Sequence, residues 1–362
     1  MSEVTPRLML DVQKMEQNIA EIMRFSKDSH VQYRPHTKTH KSIAIAKSQI
    51  EAGAIGITVA KVGEAEVMVE GGIDNILVAF PITAEEKIKR VKNLREKAHI
   101  ILTLDSIAQG EMLASYFTAE DPLYVWMKVN AGLNRVGVEP NEEVTDLVKW
   151  LKEEPRLRLD GVFAHAGHAY GAATLEEIES IAHREAEVVL KAASLCGQAG
   201  MAVENISVGA TPTFKIAGTV KGITEIRPGN AVFYDMVQVG LGVATVEQCA
   251  LTVKARIVSK KHDRLIIDAG SKTLALDRGA HGNDSIQGHG YILEDPSLVI
   301  ERLSEEHGVI PLNGETTLQL NDVITIIPNH ACVVANLFDA YTLHRDGEIV
   351  GSWPVDARGR LT

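Results

Sequence analysis

The sequence predicts an α/β protein, a (β/α)8 TIM-like barrel followed by a β-rich C-terminal domain. Three observations predict it. Between residues 31 and 226, short β-prone runs alternate about eight times with stretches of helical periodicity, the pattern of strands and helices taking turns around a barrel. From about residue 249 that periodicity gives way to short runs broken by Gly, Asp, Asn and Pro, the texture of a separate β domain. No Gly-x-Gly-x-x-Gly follows the first of the alternating runs, which weakens the rival reading of a doubly wound open sheet.

In chain order, Leu8–Leu10 reads as a strand. Asp11 reads as the N-cap of an amphipathic helix with Met15, Ile19, Ile22 and Met23 on one face. Strand-like runs follow at 31–33, 55–59, 75–79, 100–103, 123–129, 157–163, 205–208 and 223–226. Helical stretches at 42–52, 62–70, 84–97, 143–153 and 175–199 separate most of them. The C-terminal part adds runs at 251–258, 265–267, 323–327, 333–337 and 341–343. The strand at 8–10 has no place in the barrel count and is expected to pair with the C-terminal domain. The expected division is therefore a barrel over 12–246 and a β-rich domain made of 1–11 plus 247–362.

The chain of 362 residues is 45% hydrophobic and 23% charged, an ordinary globular composition with an ample core. A net charge of -11 argues against nucleic acid as a partner, and a local basic cluster in an acidic protein suggests a small anionic ligand. Three cysteines, Cys196, Cys249 and Cys332, give no disulfide framework and fit a reducing compartment. The N-terminus carries no signal pattern and no apolar run is long enough for a membrane. The expectation is a cytoplasmic protein with neither membrane nor nucleic-acid partners.

Catalytic residues of a barrel gather after the C-terminal ends of its strands. After the first barrel strand, Arg34-Pro35-His36-Thr37-Lys38-Thr39-His40-Lys41 gathers one Arg, two His and two Lys. A lysine crowded by cations and partly desolvated releases its proton more readily, and a neutral amine forms a Schiff base with a carbonyl cofactor. Later strands are followed by Asn130, Asn134 and Arg135, by His165, His168 and Tyr170, by Gly209, Thr211 and Thr213, and by Arg227, Gly229 and Asn230. Singly, Arg135 is more often a surface ion pair, His165 a core histidine and each glycine a turn. Together on one rim they favour function.

In Ser207-Val208-Gly209-Ala210-Thr211-Pro212-Thr213, a glycine permits close approach. Thr211 is placed to cap a helix and Pro212 to open it, which would leave N–H groups free for phosphate. Arg227-Pro228-Gly229-Asn230 supplies a second loop. An ordinary capped helix is the bland alternative. In the β-rich part, His330 and Cys332 would point the same way from an extended segment. An imidazole and a thiolate are two ligands of a metal site that favours zinc over magnesium and keeps open positions. A half-buried strand with a core Cys is the bland alternative there.

These stretches, with Ala60-Lys61-Val62-Gly63-Glu64-Ala65-Glu66, Gly132-Leu133-Asn134-Arg135-Val136-Gly137, His165-Ala166-Gly167-His168-Ala169-Tyr170 and Pro328-Asn329-His330-Ala331-Cys332, resemble the D-threonine aldolase / D-serine dehydratase family. These are fold-type III pyridoxal 5'-phosphate (PLP) enzymes related to alanine racemase, and the resemblance runs over nearly the whole chain. It implies that Lys38 holds PLP through a Schiff base, with His36, Arg135 and Tyr170 beside the cofactor. Gly209, Thr211, Gly229 and Asn230 would serve its phosphate. His330 and Cys332 would hold a divalent metal, zinc ahead of manganese or magnesium. A homodimer with a PLP-binding barrel and a metal-binding β domain follows from the same resemblance. The dehydratases of the family have Cys where Cys332 stands and the aldolases Asp, which leans the reading toward a dehydratase. Relatives often carry Asp at the place of Asn130, so any charge role there is lost.

The implied substrate is a D-3-hydroxy amino acid such as D-serine or D-threonine. Loss of the α-proton to Lys38 or another base, with the metal polarising the β-hydroxyl, eliminates water. Removal of the hydroxyl proton by a base such as His168 instead cleaves Cα–Cβ, giving glycine and an aldehyde. A racemase needs two bases and no metal, so the His330–Cys332 pair speaks against it. A non-catalytic PLP-binding protein would resemble the barrel alone, so the β-rich domain disfavours that reading.

Overall fold

The structure is a computed structural model and describes residues 4–279 and 286–362. The chain forms two compact units. One comprises Glu21–Ala169, Glu176–Gly229 and Gly359–Thr362; the other comprises Met1–Ala20, Tyr170–Leu175 and Asn230–Arg358.

After β1 (Arg7–Asp11) and α1 (Val12–Asp28), eight strands alternate with helices: β2 (Gln32–Tyr33), α2 (Ile43–Glu51), β3 (Ile57–Val59), α3 (Val62–Glu70), β4 (Asn75–Val78), α4 (Glu85–Leu94), β5 (His99–Leu104), α5 (Ile107–Ala114), β6 (Leu123–Lys128), α6 (Glu142–Lys152), β7 (Leu157–Phe163), α7 (Leu175–Gln198), β8 (Asn205–Val208), α8 (Phe214–Ala217) and β9 (Glu225–Ile226). All eight are parallel, in the order β2-β9-β8-β7-β6-β5-β4-β3. The two end strands meet. Ile55 N–H donates to Tyr33 O at 2.9 Å and Thr58 N–H to Pro35 O at 2.7 Å, and His36 and Thr58 form a parallel bridge. The sheet thus closes on itself as the TIM-like barrel. Its strands are near-continuous apolar runs because a parallel barrel strand is covered on both faces; Leu77, Ile101, Trp126 and Phe163 form a buried cluster within it. The helices show one apolar stripe each, as Val144, Leu147, Val148 and Leu151 do in α6.

The second unit carries α9 (Met236–Gly240), β10 (Leu251–Lys260), β11 (Arg264–Ile267), α10 (Ser271–Leu274), β12 (Tyr291–Ile292), β13 (Arg302–Leu303), β14 (Gly308–Pro311), β15 (Val323–Ile327), α11 (Ala331–Ala335), β16 (Ala340–Arg345) and β17 (Glu348–Pro354). β10 is its spine. It pairs antiparallel with β1, β11 and β15, and β1 pairs in parallel with β16. Leu251, Val253, Ala255 and Ile257 of β10 are buried in strict alternation, as one covered sheet face requires. Among the described residues no helix is long and apolar enough to cross a membrane.

Several elements differ from the sequence reading, among them the two that follow. The run at 333–337 is not a strand. α11 covers Ala331–Ala335 with His330 at its N-cap, and a five-residue apolar run carries no period that separates strand from helix. α5 went unplaced, although its Ser106-x-x-Gln109 start is a helix-opening signature and Ser106 does accept the Gln109 N–H. At the other end of the chain, the Asp11 carboxylate accepts the Lys14 N–H at 3.0 Å, which caps α1. Asp11→Ala is expected to destabilise the protein by about 1 kcal/mol in denaturant titrations, and Asp11→Ser to restore most of the loss.

Candidate active site

The turn after β2 is a short 310 turn, Thr37–Thr39, and most of its basic neighbours hold it in place. Arg34 donates to Glu225 and to Asn75, each at 2.8 Å, inside the barrel. Lys41 pairs with Glu64 at 3.4 Å. The His40 ring is buried between Ser42 N–H, which donates to its Nδ1 at 3.1 Å, and the Gln49 side chain at 3.2 Å. Gln49 in turn donates to the Tyr33 hydroxyl. Burial drives the His40 pKa down to about 3. The cation crowd expected inside the motif is therefore not there. Of its five basic groups, Arg34, His40 and Lys41 brace the loop, while His36 and Lys38 belong to a different neighbourhood.

That neighbourhood is built by the other strands. His36, His165, Lys128, Arg227 and Lys38 lie within electrostatic reach of one another. Burial first, then Lys38, His165 and Arg227, hold His36 well below the usual histidine range. Its Nδ1 accepts the Lys38 N–H at 3.4 Å, so the ring is neutral with its proton on Nε2. His165 is also neutral, through burial and then Lys38 and Lys128. Its Nδ1–H donates to the Gly209 carbonyl, which leaves the Nε2 lone pair available. Lys128 ends β6 and is buried; burial first, then Arg227, lower its pKa well below the usual range. Its Nζ lies 4.2 Å from the Phe163 ring centroid, and the Arg227 guanidinium carbon lies 5.0 Å from the same ring. Arg227 donates to Ser207 Oγ and Ala164 O, and burial brings its pKa to about 10. Arg135 is exposed and acts on Lys128 and His165 through its charge.

Asn130 shapes the loop that carries Arg135. Its Oδ1 accepts the N–H groups of Gly132 and Asn134 at 3.1 Å each, and its Nδ2 donates to Asn134 and Glu139, the local bonding that makes Asn a turn former. His168 packs on this loop, since a Cβ on Gly132 would sit 3.5 Å from its ring. The His168 Nδ1 is buried without a partner among the described residues.

The loops after β8 and β9 supply backbone donors, although not as expected. Gly209 has both polar groups committed, its N–H to Glu185 at 3.0 Å and its carbonyl to His165. Its lack of a side chain serves the approach of Arg227, whose Cβ would lie 2.9 Å from an added Cβ. Nor does a helix open at Thr211 and Pro212. α8 starts at Phe214 with Thr213 at its N-cap and spans only four residues, too few for the dipole argument. What remains are the N–H groups of buried Ala210 and Gly229, neither of which has an acceptor among the described residues. Buried orphan donors are rare and suit an anion. Gly229 is obligatory here, because a Cβ would stand 2.6 Å from the His36 carbonyl oxygen. Thr211 is buried in the first of these loops.

Asn230 opens the second unit and sends its amide elsewhere, to Asp235 at 2.6 Å and toward Cys332 Sγ at 3.8 Å. His330 and Cys332 do not share an extended segment, so the geometric reason for pairing them fails: one caps α11 and the other lies in its first turn. Their side chains nevertheless meet. Burial works to lower the His330 pKa, but the adjacent Cys332 sulfur, Asp277 and Asp235 together lift it well above the usual range. Asp277 holds the His330 Nδ1 at 2.9 Å. An imidazole oriented by a carboxylate on one nitrogen and faced by a sulfur is a donor set suited to a divalent metal. Among the described residues no three His, Cys, Asp or Glu cluster as ligands, and His330 and Cys332 are the two donors that meet there. Tyr170 is buried in the turn Gly167–Gly171 and is counted with this second unit.

Sequence reasoning missed Lys128 and Glu185. Lys128 is signalled by a lysine closing an otherwise apolar strand, Leu123-Tyr124-Val125-Trp126-Met127-Lys128. Glu185 is signalled by a carboxylate on the apolar stripe of α7, with Ile178, Ala182, Val189 and Cys196.

The chain is similar to known proteins over nearly its whole length. Residues 10–237 match the family model of the alanine racemase N-terminal domain, and residues 250–344 that of the serine dehydratase domain. The chain is 31% identical to D-threo-3-hydroxyaspartate dehydratase of Delftia sp. HT23 over 95% of each sequence, whose solved structure superposes with a TM-score of 0.92 over 98% of this chain and 97% of that one. A cysteine-to-alanine mutant of that enzyme has been solved in the metal-free form. D-serine dehydratase of Dictyostelium discoideum is 30% identical over 89% of each sequence. The crystal structure of D-threonine aldolase from Filomicrobium marinum gives a TM-score of 0.92 at 29% identity, over 99% of this chain and 96% of that one.

The buried environment of His40 predicts that its ring stays neutral through the physiological range. In protein labelled at histidine, the His40 ring resonances are expected not to titrate between pH 8 and about 5, against the ordinary midpoint near 6.5; a midpoint above 5 would contradict the buried geometry.

Proposed function

The chain belongs to the D-threonine aldolase / D-serine dehydratase family, with an alanine racemase N-terminal domain over residues 10–237 and a serine dehydratase domain over 250–344, and on that premise we propose that it is a PLP- and divalent-metal-dependent lyase that eliminates water from D-3-hydroxy amino acids. The observation that carries the reading is the His330–Cys332 pair with Asp277 behind it. The two relatives at 30% identity or above named in the comparison are both dehydratases.

The residues fit the cofactor. Lys38 would bind its aldehyde carbon through Nζ. The N–H groups of Ala210 and Gly229, without acceptors among the described residues, would take its phosphate, with Thr211 beside Ala210 and the backbone of Asn230 beside Gly229. His36, Arg135 and Tyr170 would flank it. PLP, when bound, supplies an electron sink for charge developing at the substrate Cα. Lys38 would also be the base that takes the α-proton. The neutral state of His36 and His165 keeps two further positive charges away from that amine. His330 and Cys332 would hold the metal, zinc by the softness of the thiolate, whose Lewis acidity suits a hydroxyl that must leave as water. The same reading carries a cytoplasmic homodimer acting on a small D-amino acid.

One observation favours the aldolase as a second reading. The His168 Nδ1, buried and unpartnered among the described residues, is a base without another duty. If it takes the β-hydroxyl proton, the Cα–Cβ bond breaks and glycine and an aldehyde form.

Product analysis on D-serine, D-threonine and D-3-hydroxyaspartate tests the choice. The expected products are 2-oxo acids with one ammonia each; glycine in equal amount to an aldehyde would overturn the dehydratase in favour of the aldolase. Lys38→Ala is expected to lose the cofactor's Schiff-base absorbance band, and borohydride fixation of PLP to that variant would move the assignment to another lysine. Cys332→Ala is expected to lower bound metal and turnover together, measured by elemental analysis and steady-state kinetics, while the absorbance band remains. Unchanged metal content would remove Cys332 from the ligand set.

A further inference from the structure

Glu185 sits in the middle of α7 with 0% of its surface exposed. Its Oε1 accepts the N–H of Ala166 and the N–H of Gly209, both at 3.0 Å, and its Oε2 accepts the Thr213 hydroxyl at 2.9 Å. A helix packing against a barrel has no need of a buried carboxylate, and burying one is costly unless donors compensate it. The three donors come from two different loops. Ala166 follows His165 after β7. Gly209 and Thr213 bracket the segment after β8 that contains Ala210, whose N–H has no acceptor among the described residues. The Gly209 carbonyl in turn receives the His165 Nδ1–H. One side chain therefore holds the residue that follows His165, the residue whose carbonyl receives its ring, and both ends of the turn that presents the Ala210 N–H.

We propose that Glu185 is a positioning residue for the cofactor site, holding the loops after β7 and β8 in the arrangement that aims His165 and leaves the Ala210 N–H unbonded for an anion. The inference rests on the PLP reading above. It is a claim about geometry rather than charge, and the two can be separated. A glutamine at 185 can keep every contact. Its Oε1 accepts both N–H groups, and its Nε2 donates to Thr213 Oγ1, whose own hydrogen then turns to the Ala210 carbonyl 3.4 Å away.

The test titrates full-length protein, freed of cofactor with hydroxylamine, with PLP, following absorbance, alongside thermal unfolding of the cofactor-free form. Glu185→Gln is expected to bind PLP within about threefold of the unmodified chain. Glu185→Ala is expected to bind it at least about 10-fold more weakly, and Thr213→Val, which removes one contact from outside the helix, to fall between them. If Glu185→Ala does not accumulate as folded protein, Thr213→Val carries the comparison. Undiminished PLP affinity in Glu185→Ala or Thr213→Val, with only the melting temperature lowered, would reduce Glu185 to a packing role. Glutamine as weak as alanine would assign the effect to charge and overturn the positioning claim. Failure of the unmodified chain to bind PLP would instead sink the PLP reading itself.

Discussion

A belt of buried charge crosses the inside of the barrel, and the site is arranged on it. Asn75 from β4 accepts from Arg34, and Arg34 donates to Glu225 on β9. Glu225 accepts from Ser207 on β8 at 2.6 Å, and Ser207 accepts from Arg227, which also donates to the Ala164 carbonyl after β7. Buried ion pairs contribute little net stability compared with apolar packing, but removing one member costs about 3–5 kcal/mol because its partner is stranded. Such a belt therefore contributes more to uniqueness than to stability. It ties four strands and the turn after β2 into one register, and it sets the positions of the residues that follow those strands.

The same belt decides which groups stay neutral. Arg34 and Arg227 are buried cations, Lys128 is a buried amine whose pKa burial and Arg227 lower well below the usual range, and Glu185 and Glu225 are the buried carboxylates near them. Burial first, and then that field, hold His36 and His165 well below their usual range. The N–H groups of Ala210 and Gly229, without acceptors among the described residues, are suited to an anion by a route independent of titration.

Much of this was legible in the sequence where local physics decides. Doubly covered parallel strands are mostly apolar, so the alternation of strand and helix is legible despite uncertain boundaries. Asp11 was readable as a cap because a cap is a local bond. The failures share a cause: contacts made across the chain. The basic motif at 34–41 looked like a single crowd of cations, but Glu225, Glu64 and Gln49, distant in sequence, take three of its members out of play. His330 and Cys332 were paired through an extended geometry that does not exist, and a helix turn brings the side chains together instead. Glu185 is one of several glutamates in α7, and only its place on the apolar stripe separates it from solvated neighbours.

The contrast between His165 and His168 bears on what such a site can do. They stand three residues apart, yet the first is turned by Gly209 into a fixed tautomer with one free lone pair, while the second has a buried Nδ1 that no described residue engages. A committed imidazole is a poor acceptor of a proton from a moving substrate at its occupied nitrogen, whereas an uncommitted one loses nothing by engaging it. Elimination and retro-aldol cleavage differ in which proton leaves first, from Cα or from the β-oxygen. On the proposed reading, this difference between the two imidazoles is where the choice of one product over the other would be made.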